Sequence, residues 1–190
     1  MPLRTFLALD LDVPIVAGLV KAQQQLANPA DKVKWVEREN LHVTLKFLGD
    51  VPDDLLTDVC RQVAAAAARV QPFSFDVRGL TVSPTHGPIR MIWAGVRDNS
   101  GMIGVLHDEL DKMLPGLGPQ EHRLYRPHIT LARVKHVKIA ALFRGAVATW
   151  ADREFGFQHC DEVVAYTSSL GDEGPTYTPL YAAPIGSLAS

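Results

Sequence analysis

The four residues His42-Val43-Thr44-Leu45 recur as His128-Ile129-Thr130-Leu131, and no other feature constrains the fold of this chain as tightly. With 7 histidines, 10 threonines and 22 leucines in 190 residues, random placement would yield about 0.04 copies of His-x-Thr-Leu. Both copies sit in runs that alternate apolar and polar residues, the pattern of a strand with one buried face. In such a strand His and Thr, two apart, point to one side, while Val43, Leu45, Ile129 and Leu131 point to the other and enter the core. Each half of the chain therefore presents an imidazole beside a hydroxyl. Two such strands predict a pseudo-symmetric pair of lobes with a cleft between them.

The remaining pattern agrees with that frame. Strands are predicted over 3–9, 32–36, 41–48, 73–82, 89–96, 128–134, 155–158, 161–169 and 176–182. Helices are predicted over 13–26, 52–70, 101–114 and about 138–143. Gly49-Asp50 is expected to end the first motif strand, and Asn99 to cap the third helix. Most strands follow one another through turns, which predicts the α+β class: a bilobal arrangement of antiparallel sheets with flanking helices around a central cleft. No Pro- or Ser-rich linker divides the chain, so residues 1–190 are expected to form one domain of two lobes.

Composition narrows the function. The formal net charge is −2, whereas a protein that grips long nucleic acid through many phosphates carries a basic excess. A short anionic end is the better fit. No run of about 18 apolar residues predicts a membrane span, and the opening residues lack the parts of a signal peptide, so a cytoplasmic protein is expected. Cys60 and Cys160 are expected as core residues, not as a disulfide or metal site. No His-x-His, His-x-x-x-His or Cys-x-x-Cys spacing occurs, so neither a metal nor a cofactor is expected. Gly116-x-Gly118 follows a helix instead of a strand, which argues against a dinucleotide fingerprint. Trp35, Trp93 and Trp150 are expected in the core.

The chemistry that suits two imidazoles and two hydroxyls is phosphoryl hydrolysis. Opening a cyclic phosphate takes a base to activate water and an acid to protonate the leaving ribose oxygen, and histidine does both near neutral pH. His42 and His128 are the candidates. Thr44 and Thr130 would donate to the non-bridging oxygens. The residues themselves do not say which histidine gives the proton. Arg123, Arg126, Arg133, Lys135 and Lys138 form the one basic patch, around the second motif, where a short anion would dock. Regular alternation would turn Arg133, five residues after His128, away from the cleft unless a bulge intervenes. Lys46 shares the parity of His42 and is expected at the cleft rim. His86 and His122 fall in loops and are secondary candidates for substrate contact; His107 is expected on a helix surface.

The extended motifs resemble those of the 2H phosphoesterases, and within them the bacterial and archaeal RNA 2′,3′-cyclic phosphodiesterases once named 2′-5′ RNA ligases. The similarity covers nearly the whole chain. It rests on Arg4-Thr5-Phe6-Leu7-Ala8-Leu9, on Trp35-Val36 with Glu39-Asn40-Leu41-His42-Val43-Thr44-Leu45-Lys46-Phe47-Leu48-Gly49, on Arg126 to Val134, and on Ser169-Leu170 with Gly174-Pro175-Thr176-Tyr177. The resemblance implies His42 as proton donor and His128 as acceptor, an RNA 2′-phosphate as product, and no need for ATP. It favours a phosphate role for Arg133; together with Arg126 from the basic patch, Lys46 from its parity and Tyr177 from the C-terminal motif, this gives the expected substrate-binding positions. RNA ends or small cyclic nucleotides are the expected substrates, with no membrane or obligate protein partner, and the protein is expected to be a monomer. Two alternatives stay open: 2′-5′ ligation at the same site, and a non-catalytic module that binds nucleotides or RNA ends.

Overall fold

The computed structural model describes residues 2–119, 124–171 and 174–186. Nine strands and four α-helices alternate along them: β1 (Leu3–Leu9), α1 (Val13–Leu26), β2 (Lys32–Trp35), β3 (Val43–Val51), α2 (Leu56–Ala67), β4 (Phe73–Ser83), β5 (Met91–Arg97), α3 (Met102–Met113), β6 (His128–His136), α4 (Ala140–Ala148), β7 (Glu154–Cys160), β8 (Glu162–Leu170) and β9 (Pro175–Pro184). The strands form one sheet in the order β7-β4-β5-β6-β3-β1-β8-β9, with β2 added to β6. Every pairing among the described residues is antiparallel. The class is α+β as expected, and the lobes are the two halves of this sheet.

The two motif strands are the centre of the order. β3 and β6 meet at Val43 and Ile129, and outward from that seam β1 answers β5, β8 answers β4 and β9 answers β7. Val43, Leu45, Ile129 and Leu131 are all buried, as the alternation requires. Helices α2 and α3 pack on one lobe, against β3, β8 and β9, and α1 and α4 pack on the other, against β7 and β4. Leu19 of α1, Val63 of α2 and Leu106 of α3 carry the apolar stripes that bind them to the sheet.

Neither motif strand is regular. Ala8 pairs with Thr44 and Leu7 with Lys46, so Leu45 is an extra residue on β3. Trp93 pairs with Thr130 and Ile92 with Ala132, so Leu131 is an extra residue on β6. The same position of the repeat is bulged in both halves, and each bulge reverses the alternation beyond it. At Leu131 the displaced carbonyl accepts the Val36 N–H at 2.9 Å and the buried Gln23 amide at 3.0 Å. Gln23 also donates to the Val36 carbonyl at 2.9 Å, tying α1 to the bulge.

Four local expectations change. β3 runs through Gly49 to Val51, because a second irregularity between Phe47 and Gly49, with Gly49 at φ 74°, bends the strand without ending its pairing. Residues 53–55 form a 3-10 turn ahead of α2. The cap of α3 comes from Asp98, not Asn99: its carboxylate accepts the N–H of Ile103 at 2.7 Å. The last helix starts at Ala140 and extends to Ala148. Gly118 has a structural reason of its own. It holds φ 82° where the loop after α3 crosses β3, and a Cβ there would lie 1.8 Å from the Phe47 carbonyl oxygen. Cys60 and Cys160 are free thiols; Cys60 is only partly covered, while burial first, then nearby carboxylates, push the Cys160 thiol up to about 12. No helix among the described residues is long and apolar enough to cross a membrane.

Replacing Gln23 by alanine should leave the Leu131 carbonyl one donor short and open a small void. We expect a loss of about 1–3 kcal/mol in urea unfolding, against a near-zero change for the same substitution at exposed Gln24.

Candidate active site

The seam between β3 and β6 sets the site. With Val43 opposite Ile129 in an antiparallel pair, His42 falls opposite Thr130 and Thr44 opposite His128, all on the face away from the core. Each ring is held in the same way. Nδ1 of His42 donates to the carbonyl of Asn40 at 2.8 Å, and Nδ1 of His128 donates to the carbonyl of Arg126 at 2.8 Å. A carbonyl only accepts, so both Nδ1 atoms carry the proton and both Nε2 atoms are left for chemistry. In the neutral ring, Nε2 of His42 accepts the Thr44 hydroxyl at 2.8 Å.

Each ring also leans on an aromatic side chain from the next strand outward. Phe6 of β1 stacks on His42 at 5.0 Å and 28°; Trp93 of β5 stacks on His128 at 4.1 Å and 28°. The two surroundings differ in depth. His42 is enclosed further by the edge of the Tyr177 ring at 5.6 Å. Burial lowers its pKa, opposed by the Asn40 carbonyl and the charge of Asp10, with His128 adding to the lowering. The two imidazoles thus sense one another across the seam.

A cavity of about 800 Å³ opens beside them, walled by His42, Thr44 and Thr130, by Arg133, and by Phe6, Phe47, Trp35 and Tyr177, with Arg4, Lys34 and Asp50 further out. His128 stands next to this volume and is not part of its wall; it shares the face of Thr130, and the cavity extends from the seam toward the first lobe. Arg133 and Tyr177 are brought together, since the guanidinium charge bears on the Tyr177 phenol, whose pKa burial raises.

The bulges decide two of the predicted binding residues in opposite directions. Arg133 returns to the His128 face because Leu131 is the extra residue, and it lines the cavity. Lys46 leaves that face because Leu45 is the extra residue; it pairs with Asp111 of α3 on the helix side. The expectation for Lys46 is therefore corrected, and Phe47 takes its place in the wall. Arg126 contributes its carbonyl, while its exposed side chain is not part of the wall. Arg123 and His122 lie outside the described residues, and His86 sits on an exposed loop away from the cavity.

Several contributors carry no sequence signal of their own. Asn40 is buried, and its amide donates to the Pro175 carbonyl at 2.9 Å, fastening the start of β9, and so Tyr177, to the first motif. Tyr125 donates to the Thr44 carbonyl at 2.8 Å while stacking on His107 at 4.2 Å, so His107 is half-buried support, not open surface. Trp35 packs on the core and walls the cleft as well, whereas Trp93, expected in the core, stands half-buried on the cleft face against His128. Trp35 stands close before the first motif in the sequence; Trp93 has no such mark.

Two imidazoles anchored through Nδ1, one in the cavity wall and one beside it, with two hydroxyls and a guanidinium, equip a protein to handle a phosphate ester. The comparisons agree. The chain belongs to the LigT-like phosphoesterase family, part of the 2H superfamily, which matches residues 9–93 and 97–177. It is 34% identical over 180 residues to the RNA 2′,3′-cyclic phosphodiesterase of Methanothermobacter thermautotrophicus, covering 95% of this chain and 97% of that one. It is 31% identical over 175 residues to the protein of the same name in Methanocaldococcus jannaschii, covering 92% and 96%. Among solved structures, TT0787 of Thermus thermophilus superposes with a TM-score of 0.78 at 27% identity, over 96% of this chain and 98% of that one. E. coli LigT complexed with 3′-AMP superposes at 0.74 with 24% identity, over 98% and 100%, a likeness that speaks for the fold alone.

The opposite fates of Arg133 and Lys46 give a direct check. Arg133→Ala should cut kcat/KM for a cyclic phosphate by about two orders of magnitude, as loss of a transition-state donor does. Lys46→Ala should leave it within about threefold, since it removes a pair on the far side of the sheet.

Proposed function

We propose that this protein hydrolyses the 2′,3′-cyclic phosphate at the end of an RNA chain to a 2′-phosphomonoester, without a metal ion, using His42 as proton donor and His128 as proton acceptor. The observation that carries the reading is the paired geometry: two imidazoles on one face of adjacent strands, each with Nδ1 fixed on a carbonyl and Nε2 left for proton transfer.

In this reading the cyclic phosphate sits between the rings with its non-bridging oxygens toward Arg133 and the two threonine hydroxyls. His128 Nε2 takes a proton from water as the oxygen attacks phosphorus. The P–O3′ bond breaks in line, and His42 Nε2 gives its proton to the departing O3′. A second turn of proton exchange with solvent restores the starting states. The guanidinium fork suits two phosphate oxygens at once, where charge concentrates in the transition state. Thr44, which donates to His42 in the free protein, would turn to the phosphate when His42 is protonated and no longer accepts. Burial disfavours that protonated form in the empty site; the negative charge of the entering phosphate favours it, so the acid is made ready by its substrate. Phe47 and Tyr177 offer flat apolar surface to a nucleobase beside the reacting phosphate. The relatives at about 30% identity that bear the name RNA 2′,3′-cyclic phosphodiesterase support the choice of an RNA end over other cyclic esters.

The test is turnover of a short oligoribonucleotide ending in a 2′,3′-cyclic phosphate, in excess EDTA. We expect conversion to a 2′-phosphate end, and a loss of about 10²–10⁴ in kcat for His42→Ala and for His128→Ala. Turnover that EDTA abolishes, or that survives both substitutions, would overturn the mechanism.

A further inference from the structure

Asp10 is an exposed carboxylate at the end of β1, just past Leu9, whose partner on β3 is Val43. The ladder therefore brings Asp10 to the level of His42. No hydrogen bond or ion pair joins it to the ring, and Asp10 has no cationic partner in an ion pair among the described residues. It is nonetheless firmly held. The Tyr166 hydroxyl on β8 donates across both carboxylate oxygens, at 2.8 Å and 2.9 Å. Tyr166 is itself fixed, for its ring stacks on Phe6 at 5.4 Å and 17°, and Phe6 in turn stacks on His42 at 5.0 Å. His42, Phe6 and Tyr166 thus form a column whose far end grips the carboxylate.

We propose that Asp10 is a positioning residue for His42: pinned by Tyr166, its fixed negative charge supports the His42 imidazolium as the proton donor to the leaving oxygen. This rests on the reading of His42 as the acid of a cyclic phosphodiesterase.

The need for such a charge follows from the site. His42 is the more enclosed of the two imidazoles, and enclosure disfavours the charged ring that an acid must be. Around it stand His128 on β6, which opposes its ionisation, the neutral Tyr177 on β9, with Arg133 and Glu37 beyond that phenol, and Tyr166 on β8. Asp10 is the carboxylate whose charge favours the imidazolium, second to the Asn40 carbonyl. Burial and the same carboxylate push the Tyr166 phenol up, so it stays protonated and keeps donating. His128, the acceptor, must start neutral, and among the described residues no ion pair joins it to a carboxylate. The asymmetry between the halves then has a purpose: the carboxylate stands on the donor side.

Three proteins decide it: wild type, Asp10→Asn, which keeps the acceptor for Tyr166 and removes the charge, and Tyr166→Phe, which keeps the ring stack and frees the carboxylate. Both the rate profile on a cyclic-phosphate oligoribonucleotide and the NMR titration of the His42 ring are followed across pH. Removing a charge that favours protonation makes His42 lose its proton at lower pH. For Asp10→Asn the alkaline limb of kcat should therefore move to lower pH, with the acid limb and KM unchanged. The rate at pH 8 should fall about three- to tenfold while that at pH 6 stays near wild type. Tyr166→Phe should move the limb the same way by less. A uniform loss with both limbs in place, or a His42 titration unchanged by Asp10→Asn, overturns the proposal. The titration needs no substrate: a shifted His42 in a protein that turns over no cyclic phosphate would sustain the electrostatic pairing and reject the catalytic reading instead.

Discussion

The cleft depends on how β3 and β6 meet. Val43 and Ile129 pair across the seam, and because side chains alternate with a period of two, that single register puts His42, Thr44, His128 and Thr130 on one face together. A slip of one residue in either strand would send one histidine and its threonine into the core and bring Leu and Val out to water. The hydrophobic pattern forbids this, since Val43, Leu45, Ile129 and Leu131 are all buried. Core packing and the pairing of the two imidazoles are therefore the same constraint. The bulges at Leu45 and Leu131 then refine it, bringing Phe47 into the wall on one side and Arg133 on the other.

Much of this was legible from local pattern. The repeat, its strand character and the facing of its side chains follow from alternation alone, and α1 begins and ends where its apolar spacing says it should. What local pattern could not supply are the bulges. Regular alternation expels Arg133 from the cleft and admits Lys46; the real strands do the reverse, because each Leu is accommodated as an extra residue. The donors that stabilise one bulge, Gln23 and Val36, lie more than ninety residues away in the chain, so no window of sequence around Leu131 contains them. The roles of Asn40, Asp10 and Tyr166 are hidden from local pattern for the same reason. Their partners, Pro175, Tyr166 and Asp10, come from opposite ends of the chain, and a lone Asp past the end of one strand or a lone Tyr in the middle of another has no pattern to mark it.

The halves are alike in backbone and unlike in surroundings. Both rings are held by the carbonyl two residues before them, and both rest on an aromatic from the neighbouring strand. Beyond that the first lobe closes over His42 with Phe6, Tyr166 and Tyr177, while the second leaves His128 more open beside Trp93. Enclosure alone would keep His42 neutral. A bound phosphate anion and a nearby carboxylate both work against that, whereas a ring meant to receive a proton from water gains from solvent access. In the proposed mechanism, the division of labour between two copies of one motif follows from what each lobe packs around its imidazole.

In the proposed reaction two imidazoles act together in opposite protonation states. The pH dependence of kcat/KM for the wild-type protein, on an oligoribonucleotide with a terminal 2′,3′-cyclic phosphate, tests it most directly. We expect a bell centred near neutrality, falling on the acid side as the acceptor is protonated and on the alkaline side as the donor loses its proton. A single plateau that continues well above pH 9 would contradict it, because no imidazole would then be serving as the acid.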